Sequence, residues 1–252
     1  MQTLRALLFY LGIALQALLL GLVAVLIWPL PLRWRYRGVT TWNAFAMWWL
    51  EVTCGLGYRV TGQEHVPGGP AIILCKHQSA WETIALPRLF PPQVLVFKRE
   101  LLFIPFFGWG LATLDPIVLN RSARHQALRV LLTQGKERLS RGLWVTLFPE
   151  GTRVAPGAKG HYNAGGGMLA AETGVPVLPI AHNAGLFWGR NTFAKKPGVI
   201  DLVIGPVIAT QGKDARQIMS EAETWIETTS QRLLTGAAHE NSSPRKAAPA
   251  PN

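Results

Sequence analysis

The residues best suited to proton chemistry in this 252-residue chain are His77 and Glu82, five positions apart in the stretch KHQSAWET. On an ideal helix such a pair lies about 140° apart and cannot meet. Across a loop-to-helix turn it can. With His77 at a strand end and Glu82 in the first helical turn, the carboxylate faces imidazole Nδ1 and fixes its tautomer. Nε2 is then left to take a proton from a substrate alcohol. The same letters also spell a capping box, because Ser79 and Glu82 stand as Ser-x-x-Glu and the acid can accept from the Ser79 backbone N–H. Both roles can coexist, one carboxylate oxygen serving each, and the octapeptide alone leaves the choice open. Ser79 and Cys75 are the available nucleophiles, but no Gly-x-Ser-x-Gly elbow surrounds Ser79 and Cys75 falls inside an expected buried strand, so both read as structural.

A second group of residues is matched to a phosphate. FPEGTR, residues 148–153, places Glu150, Gly151, Thr152 and Arg153 directly after an apolar run. Gly151 permits a tight turn, and Arg153 carries the planar donor fork that suits a phosphate. Glu150 can accept from a polyol hydroxyl or hold the arginine in place. Lys98 and Arg121 add two cations at the ends of other apolar runs, so that folding can gather three positive side chains on one rim. The apolar IPFFGW, residues 104–109, suits an acyl chain or a membrane surface, or core packing.

These residues need a sheet to bring them together. Beyond Gly57 short β-branched runs alternate with helical patterns, which predicts an α/β domain with a mostly parallel central sheet flanked by helices. Strands are expected at 71–75, 94–97, 116–119, 144–148, 177–181 and 199–204, and helices at 81–89, 123–140, 166–172 and 215–234. The suggestive residues then fall at or just beyond the C-terminal ends of strands, where open α/β sheets bind ligands. The chain divides into an N-terminal membrane-associating part (1–56), an α/β domain (57–235) and a disordered tail (236–252) rich in Ala, Pro, Ser and Asn.

Residues 6–32 carry no charge. As a helix they would rise about 40 Å against a hydrocarbon core of about 30 Å, so the run either spans with tilt or bends and dips. It is too long for a signal-peptide core, and prolines and arginines follow it in place of a cleavage site. Arg33, Arg35 and Arg37, interleaved with Trp34 and Tyr36, read as an interfacial belt on the cytoplasmic side. Residues 42–56 read either as an interfacial segment or as a core helix. With 25 basic against 14 acidic residues the chain favours anionic partners. Nucleic acid is disfavoured, since neither a dense basic helix nor a recognition motif accompanies the charge. Two cysteines without paired spacing suggest neither a disulfide framework nor a metal site.

Taken in order, His77 with its acid, Lys98-Arg99-Glu100-Leu101 running to Pro105-Phe106-Phe107-Gly108-Trp109, Arg121, FPEGTR, and Val175-Pro176-Val177-Leu178-Pro179-Ile180 resemble the glycerolipid acyltransferase family, above all its bacterial 1-acyl-sn-glycerol-3-phosphate acyltransferases. The resemblance implies transfer of a fatty acyl group from acyl-CoA or acyl-carrier protein to the 2-hydroxyl of lysophosphatidic acid, at the cytoplasmic face of a bacterial inner membrane. No acyl-enzyme, cofactor or metal is implied. His77 would be the base and Glu82 its orienting acid; Glu150, Gly151, Thr152 and Arg153 would help hold the acceptor, and Lys98 and Arg121 its phosphate. Three departures stand out: Glu82 where the family more often has Asp, Asn120 before Arg121 where many members have Asp, and no lysines beside Tyr162. They leave open another lysophospholipid or a lyso-aminolipid as acceptor. A non-catalytic protein that only holds anionic lipid is the reading from a different class.

Overall fold

A computed structural model of the chain describes residues 1–90, 92–120 and 123–240. Seven strands form one sheet in the order β1 (Leu56–Thr61), β7 (Gly198–Ile204), β6 (Val177–His182), β2 (Ile72–Cys75), β5 (Trp144–Leu147), β3 (Gln93–Lys98) and β4 (Ile117–Leu119). Every pairing is parallel except β6 with β7. Both faces of the central strands are buried, which is why β2, β3 and β5 read as predominantly apolar runs. On one face Ile73, Cys75 and Ile180 pack against Phe9, Leu50, Trp81 and Leu86 from the first helices. On the other, Ile72, Val94 and Val145 pack against Leu131, Leu169 and Ile226 from the later ones.

Strand β1 is a difference from the sequence expectation. Its pattern starts buried and ends exposed, because it lies at the sheet edge against β7, and six residues of such mixed pattern carry little periodic signal. The segment after β3 forms a 3₁₀ turn (Arg99–Phe103) followed by a short helix α4 (Phe107–Ala112), where no element was expected. The last helix, α7 (Ala215–Glu240), continues beyond residue 234, and residues 241–252 lie outside those described. Helices α3 (Trp81–Leu89), α5 (Arg124–Ser140) and α6 (Gly165–Thr173) fall within a residue of expectation.

The apolar N-terminal run does not continue to residue 32 as one helix. Helix α1 (Gln2–Ile27) stops at a turn containing Pro29 and Pro31, and α2 (Leu32–Cys54) starts directly after it. Pro31 has no N–H to lose at this helix start and disfavours a helical residue before it, so the break is set by covalent geometry. The two helices form an antiparallel hairpin: Trp49 Nε1 donates to the Leu8 carbonyl at 3.2 Å, near the start of one helix and the end of the other. Neither helix is free of the domain. Tyr36 Oη donates to the Pro87 carbonyl at 3.0 Å and Asn43 Nδ2 to that of Ile84 at 2.6 Å, fastening α2 to α3. Helix α1 buries Ala6, Phe9, Gly21 and Ala24 but exposes Leu4, Leu11, Leu15, Leu19, Leu22 and Leu26 on its outer side. Residues 42–56 combine both expectations, with Trp42, Met47 and Leu50 buried and Trp48 and Val52 exposed. Of the arginine belt, Arg33 and Arg37 bracket the exposed Trp34, whereas Arg35 turns inward and donates to the Thr113 carbonyl at 2.9 Å.

Candidate active site

His77 and Glu82 meet. Strand β2 ends at Cys75, α3 begins at Trp81, and the intervening loop sets His77 Nδ1 2.8 Å from Glu82 Oε1. The same oxygen accepts from the Gln78 N–H at 2.8 Å and the Ser79 N–H at 2.7 Å. The capping bond and the histidine bond therefore coexist, but on one oxygen and not on two. The reason is that α3 starts only one residue before Glu82, so its carboxylate folds back over three successive groups of the preceding loop. Glu82 is fully buried. Burial works to raise its carboxyl, yet the net effect of His182, the His77 contact and the Ser79 amide holds it below the ordinary carboxylate range. An ionised Glu82 requires Nδ1 to be the protonated nitrogen of a neutral His77. Among the described residues nothing bonds Nε2. The ring lies flat on Phe148, centroids 4.2 Å apart, with about an eighth of the side chain exposed.

The main chain of His77 is fixed as firmly as its ring. Its N–H donates to Glu150 Oε2 at 2.9 Å and its carbonyl accepts from the Val154 N–H at 2.9 Å. The FPEGTR turn thus clasps the histidine from both sides and brings Arg153, next to Val154, into its neighbourhood. Gly151 sits at the bend with φ of +67°, a left-handed conformation that a side chain would strain. Glu150 contacts Lys76 and the His77 main chain, and no contact to Arg153 is seen among the described residues. Glu150 is buried, and its Oε1 takes the ammonium of the equally buried Lys76 at 2.7 Å. Thr152 is exposed, Arg153 is partly exposed, and no acid pairs with Arg153 among the described residues.

The cations do not all converge as expected. Lys98 ends β3, two strands from β2, about 10 Å away at about 4.8 Å per strand. Alternation puts it on the face of Val94 and Val96, opposite the one where His77 stacks on Phe148, and it lies 3.7 Å from Glu100. Its long stem must bend over the rim to reach a ligand at His77. Arg121 lies outside the described residues. Cys75 and Ser79 are structural as expected: burial pushes the Cys75 thiol well above its usual value, and Ser79 Oγ accepts from the Trp81 N–H at 3.1 Å.

Three site features escaped the sequence reading. Lys76 opens the KHQSAWET stretch, and its sequence context assigns it no role. His182, at the end of β6, donates from Nε2 to the Lys76 carbonyl at 2.8 Å and accepts the Ala184 N–H at Nδ1; burial lowers its basicity, and the nearby Glu82 carboxylate works against that. A histidine directly following a buried strand was the only available signal. The third is an apolar cavity among α1, α2, α3, β3 and α4, lined by residues that include Leu20, Trp42, Thr83, Ile84, Leu95 and Phe107. IPFFGW divides between its two expected uses, with Phe106 and Phe107 on the cavity and Ile104 and Trp109 on the outside beside Phe103.

The chain is similar to known proteins over most of its length. The family described as "Acyltransferase" matches residues 57–183, from β1 to just past β6. The chain is 47% identical to a 1-acyl-sn-glycerol-3-phosphate acyltransferase of Pseudomonas aeruginosa, over 90% of this chain and 91% of that one. It is 27% identical to a Chlamydomonas reinhardtii protein of the same name, over 94% of this chain and 72% of that one. The crystal structure of the 1-acyl-sn-glycerophosphate acyltransferase from Thermotoga maritima has the same fold, with a TM-score of 0.77, 23% identity, and coverage of 92% of this chain and 95% of that one. A histidine–carboxylate pair at a strand end, clasped by an arginine-bearing turn, is thus found in a chain that belongs to the acyltransferase family.

Proposed function

We propose that the protein transfers a fatty acyl group from a soluble thioester, acyl-CoA or acyl-carrier protein, to the 2-hydroxyl of lysophosphatidic acid, giving phosphatidic acid. The observation that carries the reading is the 2.8 Å contact of His77 Nδ1 with Glu82, which leaves Nε2 as the proton acceptor on the exposed edge. Nε2 removes the hydroxyl proton as the oxygen attacks the thioester carbonyl. The resulting imidazolium is stabilised by ionised Glu82. The tetrahedral intermediate then collapses, the C–S bond breaks, and the leaving thiolate receives the proton back from Nε2. A thioester is already activated, so these steps use neither an acyl-enzyme nor a cofactor. Arg153 takes the acceptor's phosphate, Lys98 adds charge from the rim, Arg121 is the third cation the sequence offers for it, and the apolar cavity takes an acyl chain. The names of the relatives support lysophosphatidic acid as the acceptor.

We also infer that the protein lies in one leaflet and does not span the bilayer. Helix α1 packs along the domain on one side and presents a leucine face on the other, and the exposed Phe103, Ile104 and Trp109 extend that apolar surface. Arg33 and Arg37 beside Trp34 favour the cytoplasmic face of a bacterial inner membrane. The test is acyl transfer from radiolabelled acyl-CoA to lysophosphatidic acid, lysophosphatidylethanolamine or a lyso-aminolipid, with wild type and His77→Ala. Selective acylation of lysophosphatidic acid that vanishes in His77→Ala is expected. Selective acylation of another acceptor would overturn the substrate assignment, and an active His77→Ala would overturn the mechanism.

A further inference from the structure

Lys76 precedes the base directly, and no step above uses it. Its side chain is 1% exposed, a burial that an ammonium group tolerates only when fully paired. All three donors are used: Nζ lies 2.7 Å from Glu150 Oε1, 2.7 Å from Glu227 Oε1 and 3.0 Å from the Ala158 carbonyl. These acceptors come from three separate segments, namely the FPEGTR turn, the loop that follows it, and α7. Tyr162 Oη donates to the same Glu227 oxygen at 2.8 Å, and the Gly160 N–H reaches Glu150 Oε1 at 3.3 Å. Glu150, gripped by Lys76 through one oxygen, holds the His77 N–H through the other.

The result is a brace with a direction. Ile218, Ala222 and Ile226 seat α7 in the core, and Glu227 projects from this fixed helix into the network. It fastens Lys76 and the 158–162 loop, and these in turn fix the turn that presents Arg153. Glu227 lies 151 positions from Lys76 and beyond the part of the chain that matches the acyltransferase family. We propose that Glu227 is a positioning residue for acyl transfer: acting through Lys76 and Tyr162, it keeps the Arg153 turn in register with His77, so that phosphate site and base hold one acceptor together. This rests on the acyl-acceptor reading above.

The experiment measures acceptor and donor KM, kcat and thermal melts in wild type, Glu227→Gln, Arg153→Ala and the double variant, with lysophosphatidic acid and acyl-CoA. Gln keeps the shape and an acceptor for Lys76 but loses the charge. The expected result is an acceptor KM raised about tenfold, the size of one charge-assisted hydrogen bond exchanged for a neutral one, with donor KM within about twofold. In the Arg153→Ala background the same change should alter acceptor KM less than about twofold, because the residue it positions is gone. Glu227→Asp should recover part of the loss. A drop in kcat that only follows the folded fraction, equal rises in both KM values, or full additivity with Arg153→Ala would overturn the proposal. If Glu227→Gln does not fold, Tyr162→Phe removes only the hydroxyl of the brace and is judged by the same criteria. A wild type inactive on lysophosphatidic acid but active on another acceptor would sink the substrate assignment alone, and the Glu227 comparison would then be made with that acceptor.

Discussion

Replacing Glu82 by Gln separates the two roles that one oxygen performs. The amide oxygen can still accept from the Gln78 and Ser79 N–H groups at 2.8 and 2.7 Å, so the start of α3 remains capped. What disappears is the charge beside the ring of His77. At an effective dielectric of about 20, unit charges about 4 Å apart attract by about 4 kcal/mol, and a neutral hydrogen bond of about 1 kcal/mol recovers part of this. The remaining 3 kcal/mol or so falls on the step in which His77 becomes an imidazolium, a loss of about 10²-fold in kcat. The assay is single-turnover acyl transfer with folding checked by thermal melts. The melts carry their own signature. Burial works to raise the folded Glu82 carboxyl, but His182, the His77 contact and the Ser79 amide hold it below the ordinary 4.5, so the stability gained from its ionisation is complete above that pH and is lost as pH falls through the lower, folded value. The melting gap between wild type and variant should therefore narrow on acidification below about 4.5. A folded Glu82→Gln enzyme with wild-type kcat would refute the reasoning, leaving the carboxylate as a cap alone.

Arg153→Ala should raise the acceptor KM by about 10- to 100-fold with donor KM little changed, as expected for the loss of a charge-assisted phosphate contact, and Arg153→Lys should lie between. Gly21→Ala places a Cβ 2.5 Å from Phe106 Cβ and 2.6 Å from its Cα, where α1 meets α4. Overpacking of about 1–3 kcal/mol exceeds the helix-propensity gain of about 1 kcal/mol, so a thermal melt in detergent should fall by a few degrees. Lys195 is buried in a cage of Phe9, Tyr10, Trp188 and Phe193, and burial, only partly opposed by Cys54, lowers its pKa from 10.5 to about 8. Because the unfolded chain holds this proton more tightly than the folded one, wild type should gain stability relative to Lys195→Met as pH rises from about 8 to 10.5, and parallel melting curves across that range would contradict the assignment.

The sequence made the sheet legible where strands are buried on both faces, since β2, β3, β5 and β6 are short, predominantly apolar runs. It hid β1, whose edge position leaves a mixed pattern, and it left open whether the apolar run ending near Pro31 spans or bends. The histidine–carboxylate pair was legible because one short loop joins His77 to the first turn of α3, which carries Glu82. Its true geometry was not, because whether one oxygen or two would serve depends on the helix starting at Trp81. The ion pair of Glu150 was hidden for a related reason: its partner Lys76 is 74 positions away, and the β2–β5 pairing brings them together. Glu227 could not have been seen at all, since its sequence context is that of an ordinary amphipathic helix.

The leucine face of α1 and the apolar lip at Phe103, Ile104 and Trp109 have a kinetic consequence. An enzyme resting in one leaflet meets its lipid acceptor by lateral diffusion within a film, and its thioester donor from the bulk solution. The acceptor's effective concentration is then its mole fraction among the surrounding lipids. Adding inert phospholipid at constant total lysophosphatidic acid should slow acyl transfer by surface dilution, while the dependence on donor concentration keeps its three-dimensional form.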